Sequence, residues 1–475
     1  MAIKLKINEC FSKLKNQIKN LKSNQTVLIC ALLSIIYLIS GYWKWIEIAV
    51  SLCTLVFMAI LPNQKCFCIY FFLHSFTLSN IGYDSCFMVT QLGFCLILLI
   101  RYIKGVKAGT YKFYKKIALT IGIFLAVWTT LSIPNLFYRG AFLYYGYFAL
   151  FYLIFAMRQD FSISQAMNYM FGGVLTGCAL ALISLVFPMY QYNVIPSSRF
   201  SAFINCTNYL YMRAIFVLAY YMYRYLNKKL SAWSFTIIYL LCAIITLSTL
   251  SKTGIVMLAL FSLIFFVLFL KQDFKKRIKY AGMLLAVAII LCLICHKFIL
   301  TVWNRFAASF GSDNMIGSLL TGRDLIWKLY FEKIFKNPFT VLFGHGLLAE
   351  QIFIASIFGP TETHNFYIFL LYRFGIVGTI FLGYIIYLFM KELGYSKPKL
   401  IAWLPFIFFL LEGLCDNTFK CYNITYLLCS FMILFLEQKE SATKPTKLEN
   451  EIKPSIANST RFENTEESPI TEQKN

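Results

Sequence analysis

The residues best suited to chemistry in this chain are one histidine and a scatter of cations. His364 is followed by Asn365, then nine residues, Gly375, two residues and Gly378, all leading into an apolar stretch. An imidazole titrates near neutral pH and can take a proton from an attacking hydroxyl. The same place at the head of an apolar segment equally suits a polar cap assisted by Thr363 and Asn365. The cations are Arg199, in a short loop before Phe200, Arg213 inside an apolar run, Lys252 in the turn Leu250-Ser251-Lys252-Thr253-Gly254, Arg323 and Arg373. Asn208, His345 and Glu362 complete the candidates.

Each carries a bland and a chemical reading. Arg199 and Lys252 suit interfacial cations, since a lysine stem readily snorkels. Arg213 is different, because a charge deep in an apolar helix is costly and faces a partner or a wet cavity. Arg373, nine residues beyond His364, is placed to pair with Glu412 or Asp416, or to touch substrate. Several cations with few carboxylates suit a diphosphate, which arginine grips in bidentate fashion and can stabilise as a leaving group without a metal. No DxD signature or paired carboxylate is present for metal-dependent sugar-nucleotide chemistry, and His345 and His364 with Glu350 or Glu362 make no ligand pattern. No cofactor is expected.

The elements that must hold these groups are helices in a membrane. A chain with 59% hydrophobic and 14% charged residues lacks the charge for one soluble globule. Its apolar runs are too long for barrel strands, so the fold class is all-α: a polytopic integral membrane protein of about 12–14 transmembrane helices with one large extracytoplasmic loop. The net charge of +23 sits in short clusters between apolar runs, a positive-inside pattern and no sign of nucleic-acid binding. Most of the 15 cysteines lie in apolar runs and read as buried thiols, Cys292 and Cys295 before His296 included.

Spans are expected at 24–40, 45–62, 66–81, 85–102, 117–133, 140–157, 167–188, 206–223, 232–248, 254–270, 280–301, 364–390, 400–414 and 421–437. With the basic N-terminus (1–23) inside, the clusters 101–116, 224–229, 271–279 and 391–399 fall inside, and Lys44, Arg139, Arg199 and Lys252 outside. Helices 1 to 11 then occupy 24–301, the large loop 302–363 is extracytoplasmic, the last helices fill 364–437, and the polar tail 438–475 is a disordered cytoplasmic segment. In the loop, Thr321-Gly322-Arg323-Asp324 has capping-box spacing, Lys328, Glu332 and Lys336 form a charged stripe, and Asn337-Pro338 ends the helix. Its broad aromatic face suits the outer membrane surface.

These features resemble the O-antigen ligase and O-antigen (capsule) polymerase superfamily of bacterial membrane glycosyltransferases. His364-Asn365, Gly375 and Gly378 are similar to its histidine signature. Thr321-Gly322-Arg323 with Trp327, Asn337-Pro338 and Gly344-His345-Gly346 are similar to its loop pattern. Arg199-Phe200-Ser201-Ala202 with Asn208 resembles its Arg-Phe-x-Gly segment, with Ala202 for glycine and Thr207 for proline, and Ser251-Lys252-Thr253-Gly254 resembles its Ser-Arg turn with lysine for arginine.

The resemblance implies an inverting, metal-independent transfer from undecaprenyl diphosphate-linked oligosaccharide on the outer face of the bacterial cytoplasmic membrane. It implies His364 and Arg323 as catalytic, with Arg199, Lys252 and Arg213 on the diphosphate and Asn208, Asn365, Gly375, Gly378 and Arg373 in support. A chain-length regulator and a flippase of the same pathway are the implied partners beside the lipid membrane. A polymerase is expected over a ligase, which differs only in acceptor. A lipid-oligosaccharide flippase is disfavoured because no two halves repeat.

Overall fold

The computed structural model describes residues 23–40, 44–76, 85–133, 141–186, 207–270, 323–347, 352–354, 359–361, 363–393 and 403–414, with a few isolated positions. The expected basic segment at 1–22, nearly all of the span at 280–301, the span at 421–437, the tail at 438–475, and Arg199, Thr321, Glu350, Glu362, Asp416, Cys292, Cys295 and His296 lie outside them.

The described chain is helical: α1 Ser23–Ser40, α2 Lys44–Ile60, α3 Asn63–Phe76, α4 Ser85–Lys107, α5 Lys115–Thr130, α6 Ala141–Ala156, α7 Ile163–Val186, α8 Thr207–Leu226, α9 Ala232–Ser248, α10 Lys252–Leu270, α11 Arg323–Ile334, α12 Pro338–Phe343, α13 Phe366–Leu393 and α14 Leu404–Gly413. Local rules account for the starts. Ser162 and Gln165 close a reciprocal capping box before α7, and Ser231 accepts the Ser234 N–H before α9. The all-α expectation needs one small correction, an antiparallel pair of three-residue strands, β1 Ile352–Ile354 and β2 Gly359–Thr361.

The bundle is apolar on its outer faces and holds a few polar groups inside an otherwise apolar core. Val27, Leu28, Leu32, Ile36 and Ile39 of α1, and Leu92, Leu96, Leu99, Ile100 and Ile103 of α4, recur at helical spacing on outward faces. Ser34, Ser51, His74, Gln91, Arg213 and Glu412 are buried. Water punishes such continuous apolar faces, whereas lipid accepts them. Two described helices, α7 and α13, are each long and apolar enough to cross a membrane.

The centre is α8. Residues 209–223 are all buried, so this helix is enclosed around its whole circumference by α7, α9, α10 and α14. At one end of the bundle, Arg101 of α4 caps α2: its guanidinium donates to the carbonyls of Met58, Ala59 and Leu61 at 2.7–3.0 Å, satisfying groups a helix end leaves open. Tyr111 and Asn63 both donate to Asp160 Oδ2 at that end, where Lys112 also pairs with Glu392.

The other end holds the candidate residues, on a broken helix. Within α13, Gly375 adopts φ 62° and ψ −170°, which interrupts the backbone ladder. Carbonyls near the break find donors elsewhere. His345 N–H binds Tyr372 O and Gly346 N–H binds Arg373 O, both at 2.9 Å, while Trp128 Nε1–H reaches Phe374 O and Phe343 O. Gly344, at φ 72°, faces Gly375 so closely that a Cβ on either would lie 2.4 Å from the opposing backbone. The Gly-x-Gly segment is thus a plug for the break.

Two features of the loop go beyond the expectations. Asn337-Pro338 does follow the end of α11, but it also starts α12, with Pro338 at the first helical position and Asn337 Oδ1 accepting from Thr340 N at 2.8 Å. The narrow row Ile326, Tyr330 and Ile334 packs α11 on Ile368 and Tyr372 of α13, while Leu325, Phe331 and Phe335 remain outward. The apolar row at i, i+4, i+8 is what turns the helix onto its neighbour.

Candidate functional site

The His364 turn is built by its neighbours. Asn365 Oδ1 accepts from Tyr367 N at 3.0 Å and Ile368 N at 3.1 Å, capping α13. Its Nδ2 donates to Leu414 O at 3.0 Å, tying this helix start to the end of α14. Thr363 Oγ1 donates to Asn365 O, and Trp327 Nε1–H binds Thr363 O at 2.8 Å. His364 between them takes φ 45°, the left-handed region that a β-carbon makes costly, and is half-buried. The cap is therefore the work of Asn365.

Arg323 opens α11, one turn before Trp327 and hence on the face that reaches Thr363. Lys252 opens α10, whose first turn is capped by Ser251 Oγ accepting from Gly254 N; the preceding Leu250 makes the turn at φ 50°. Tyr211 of α8 packs directly on Gly254, where a Cβ would sit 2.7 Å from its ring. Tyr211 OH also donates to Glu412 Oε1, and α14 carries that contact on to Leu414 and Asn365. The structure thereby links Lys252, Tyr211, Glu412, Asn365 and His364 through successive contacts at one end.

Arg213 is 1% exposed, and its Nη1–H donates to Ser75 O at 2.9 Å. It and Glu412 line a cavity of about 30 Å³ with Phe216 and Phe408, room for one or two waters. Arg213 thus has a carbonyl partner at Ser75 and a small cavity beside it. Arg373 donates to Leu347 O at 2.7 Å and lies 4.6 Å over the Phe369 ring. Of its two suggested partners, Glu412 is engaged by Tyr211 instead, and Asp416 lies outside the described residues.

Asn208 lies in the first turn of α8, three residues before Tyr211. Phe200, the neighbour of Arg199, donates its N–H to Ser248 O, four residues before Lys252. Gly378 admits Trp128, whose ring a Cβ would meet at 2.5 Å. Gly375 and Gly378 thus serve the break in α13. His345 stacks on Tyr372 with ring centroids 4.4 Å apart, and burial, with Lys333 nearby, holds its pKa below the usual imidazole value.

Sequence reasoning gave no role to Tyr211 and weighed Glu412 only as a partner for Arg373. A carboxylate in the apolar segment 404–414 carried the same signal as Arg213, a costly charge in need of company.

The described bundle thus presents apolar outward faces and gathers an imidazole, cations and a carboxylate toward one end. Residues 237–383 match the family model described as O-antigen ligase, so this segment is similar to the O-antigen ligase/polymerase superfamily. The superfamily consists of bacterial integral membrane proteins, glycosyltransferase-like enzymes acting on lipid-linked glycans. The matched segment contains Lys252, Arg323, His364, Asn365, Arg373, Gly375 and Gly378, while Arg199, Asn208, Arg213 and Glu412 fall outside it. No curated protein and no solved structure is detectably similar to the chain.

Proposed function

We propose that the protein polymerises undecaprenyl diphosphate-linked oligosaccharide repeat units on the outer face of the bacterial cytoplasmic membrane, which it crosses about 12–14 times. The observation that carries the reading is the family match over 237–383, whose histidine turn is tied by Asn365 to the α8–α14 interior. His364 takes the proton of an acceptor sugar hydroxyl as its oxygen attacks the anomeric carbon, inverting it. The bond from that carbon to the lipid diphosphate oxygen breaks, and its electron pair leaves with the diphosphate. Arg199, Lys252 and Arg323 face the departing charge, and Arg213 supports it from the buried interior.

The many apolar segments and the polar C-terminal tail support a polymerase. A ligase acting on lipid A core is the second reading, favoured by the description of the matching family itself. The test uses purified protein with a lipid diphosphate-linked repeat unit as sole substrate and EDTA present. A ladder from wild type and none from His364→Ala supports the polymerase. Transfer only once lipid A core or another acceptor is added makes it a ligase, and no transfer to any acceptor refutes both.

A further inference from the structure

Beyond the matched segment, α8 and α14 contribute a buried polar contact whose geometry bears on His364. The last turn of α14 leaves carbonyls without helical donors, and two are taken by the start of α13: Leu414 O by Asn365 Nδ2 and Leu410 O by Tyr367 OH, each at 3.0 Å. The His364 turn and the end of α14 are therefore one piece. What secures α14 is the enclosed helix α8, through Tyr211 OH donating to Glu412 Oε1 and through the cavity that Glu412 shares with Arg213. Tyr211 is itself seated on Gly254, two residues into the helix that Lys252 opens.

We propose that Glu412, acting through Tyr211, is a positioning residue for His364. It sets where the end of α14 lies, hence where Asn365 holds the histidine relative to Lys252 and Arg213. The proposal rests on the reading of His364 as the proton acceptor. A carboxylate that merely filled space between α8 and α14 could be exchanged for methionine. One that positions needs an acceptor atom for Tyr211, which glutamine keeps and methionine lacks.

The experiment combines hydrogen exchange over residues 363–370 with steady-state transfer from a lipid diphosphate-linked repeat unit, on the full-length protein. Glu412→Met is expected to speed exchange of the Tyr367 and Ile368 amides and to lower kcat about 10–100-fold, the scale of a small misplacement, with KM little changed. Glu412→Gln should restore both, and Tyr211→Phe should reproduce the faster exchange. Wild-type exchange in Tyr211→Phe, or equal kcat in Glu412→Met and Glu412→Gln, overturns the proposal, and the first result decides even if Glu412→Met does not fold. Faster exchange in a protein whose wild type transfers nothing to any acceptor removes the enzymatic reading and leaves Glu412 as the anchor of the turn.

Discussion

Replacing Gly375 by alanine tests the break in α13. Its φ and ψ lie where essentially only glycine is at ease, a strain of about 1–3 kcal/mol for any other residue. The new Cβ would lie 2.4 Å from Leu342 C and O and 2.5 Å from Phe343 N, against an ordinary contact of about 3.5–4.0 Å. Those atoms are backbone, so α12 must retreat by roughly 1 Å. That loosens the two 2.9 Å bonds from His345 and Gly346 to α13, each contributing about 1 kcal/mol. The sum is about 3–5 kcal/mol, on the order of 3–5 °C in Tm for a chain of this length. Gly383 is the internal control, being exposed on the same helix with nothing within 4 Å of an added Cβ; alanine there should stabilise by about 0.5–1 kcal/mol. Thermal unfolding in detergent, followed by tryptophan fluorescence, would read the difference, with Trp128 reporting beside the break. Equal Tm values for Gly375→Ala and Gly383→Ala would refute the argument.

Three further changes separate roles at the same end. His364→Gly relieves a left-handed backbone that costs roughly 1 kcal/mol, so Tm should hold or rise while transfer is lost; a fall in Tm would make the imidazole a structural group. Asn365→Asp keeps the capping oxygen and loses the donor to Leu414, so its Tm should fall between wild type and Asn365→Ala, the alanine losing a cap of about 0.5–2 kcal/mol. Because His345 is held below its unfolded pKa, the unfolded chain binds the extra proton, and the stability it contributes is full above about pH 6.5 and lost as pH falls. Wild type should therefore lose more Tm than His345→Gln between about pH 7.5 and 5, and parallel curves would exclude His345 as the cause.

Local order was legible where neighbouring residues decide it. The apolar runs at 232–248 and 254–270 fall on α9 and α10 because hydrophobic length is a one-dimensional signal. Asn365 was readable as a cap beside His364 for the same reason. The spacing from His364 to Gly375 and Gly378 marked positions where glycine mattered but gave no sign of why. The answer lies in Leu342 and Trp128, some 30 and 250 residues away in the chain. Arg373, read as a partner for a carboxylate or for substrate, also grips Leu347 O, a contact the sequence did not show because nothing local reveals which carbonyl a fold will bring near. The role of Tyr211 was hidden likewise, its partner Glu412 being 201 residues on.

The enclosure of α8 also bears on how the protein is assembled. Arg213 is expensive on a helix that meets lipid alone. Its carbonyl partner at Ser75 belongs to a segment made earlier, but the carboxylate across the cavity is made about two hundred residues later, in α14. A chain still on the ribosome therefore has α8 walled on some sides and open on the one that α14 will close. The last described helix closes the interior and holds the histidine turn in the same act, so until it is made both α8 and that turn lack one of their walls.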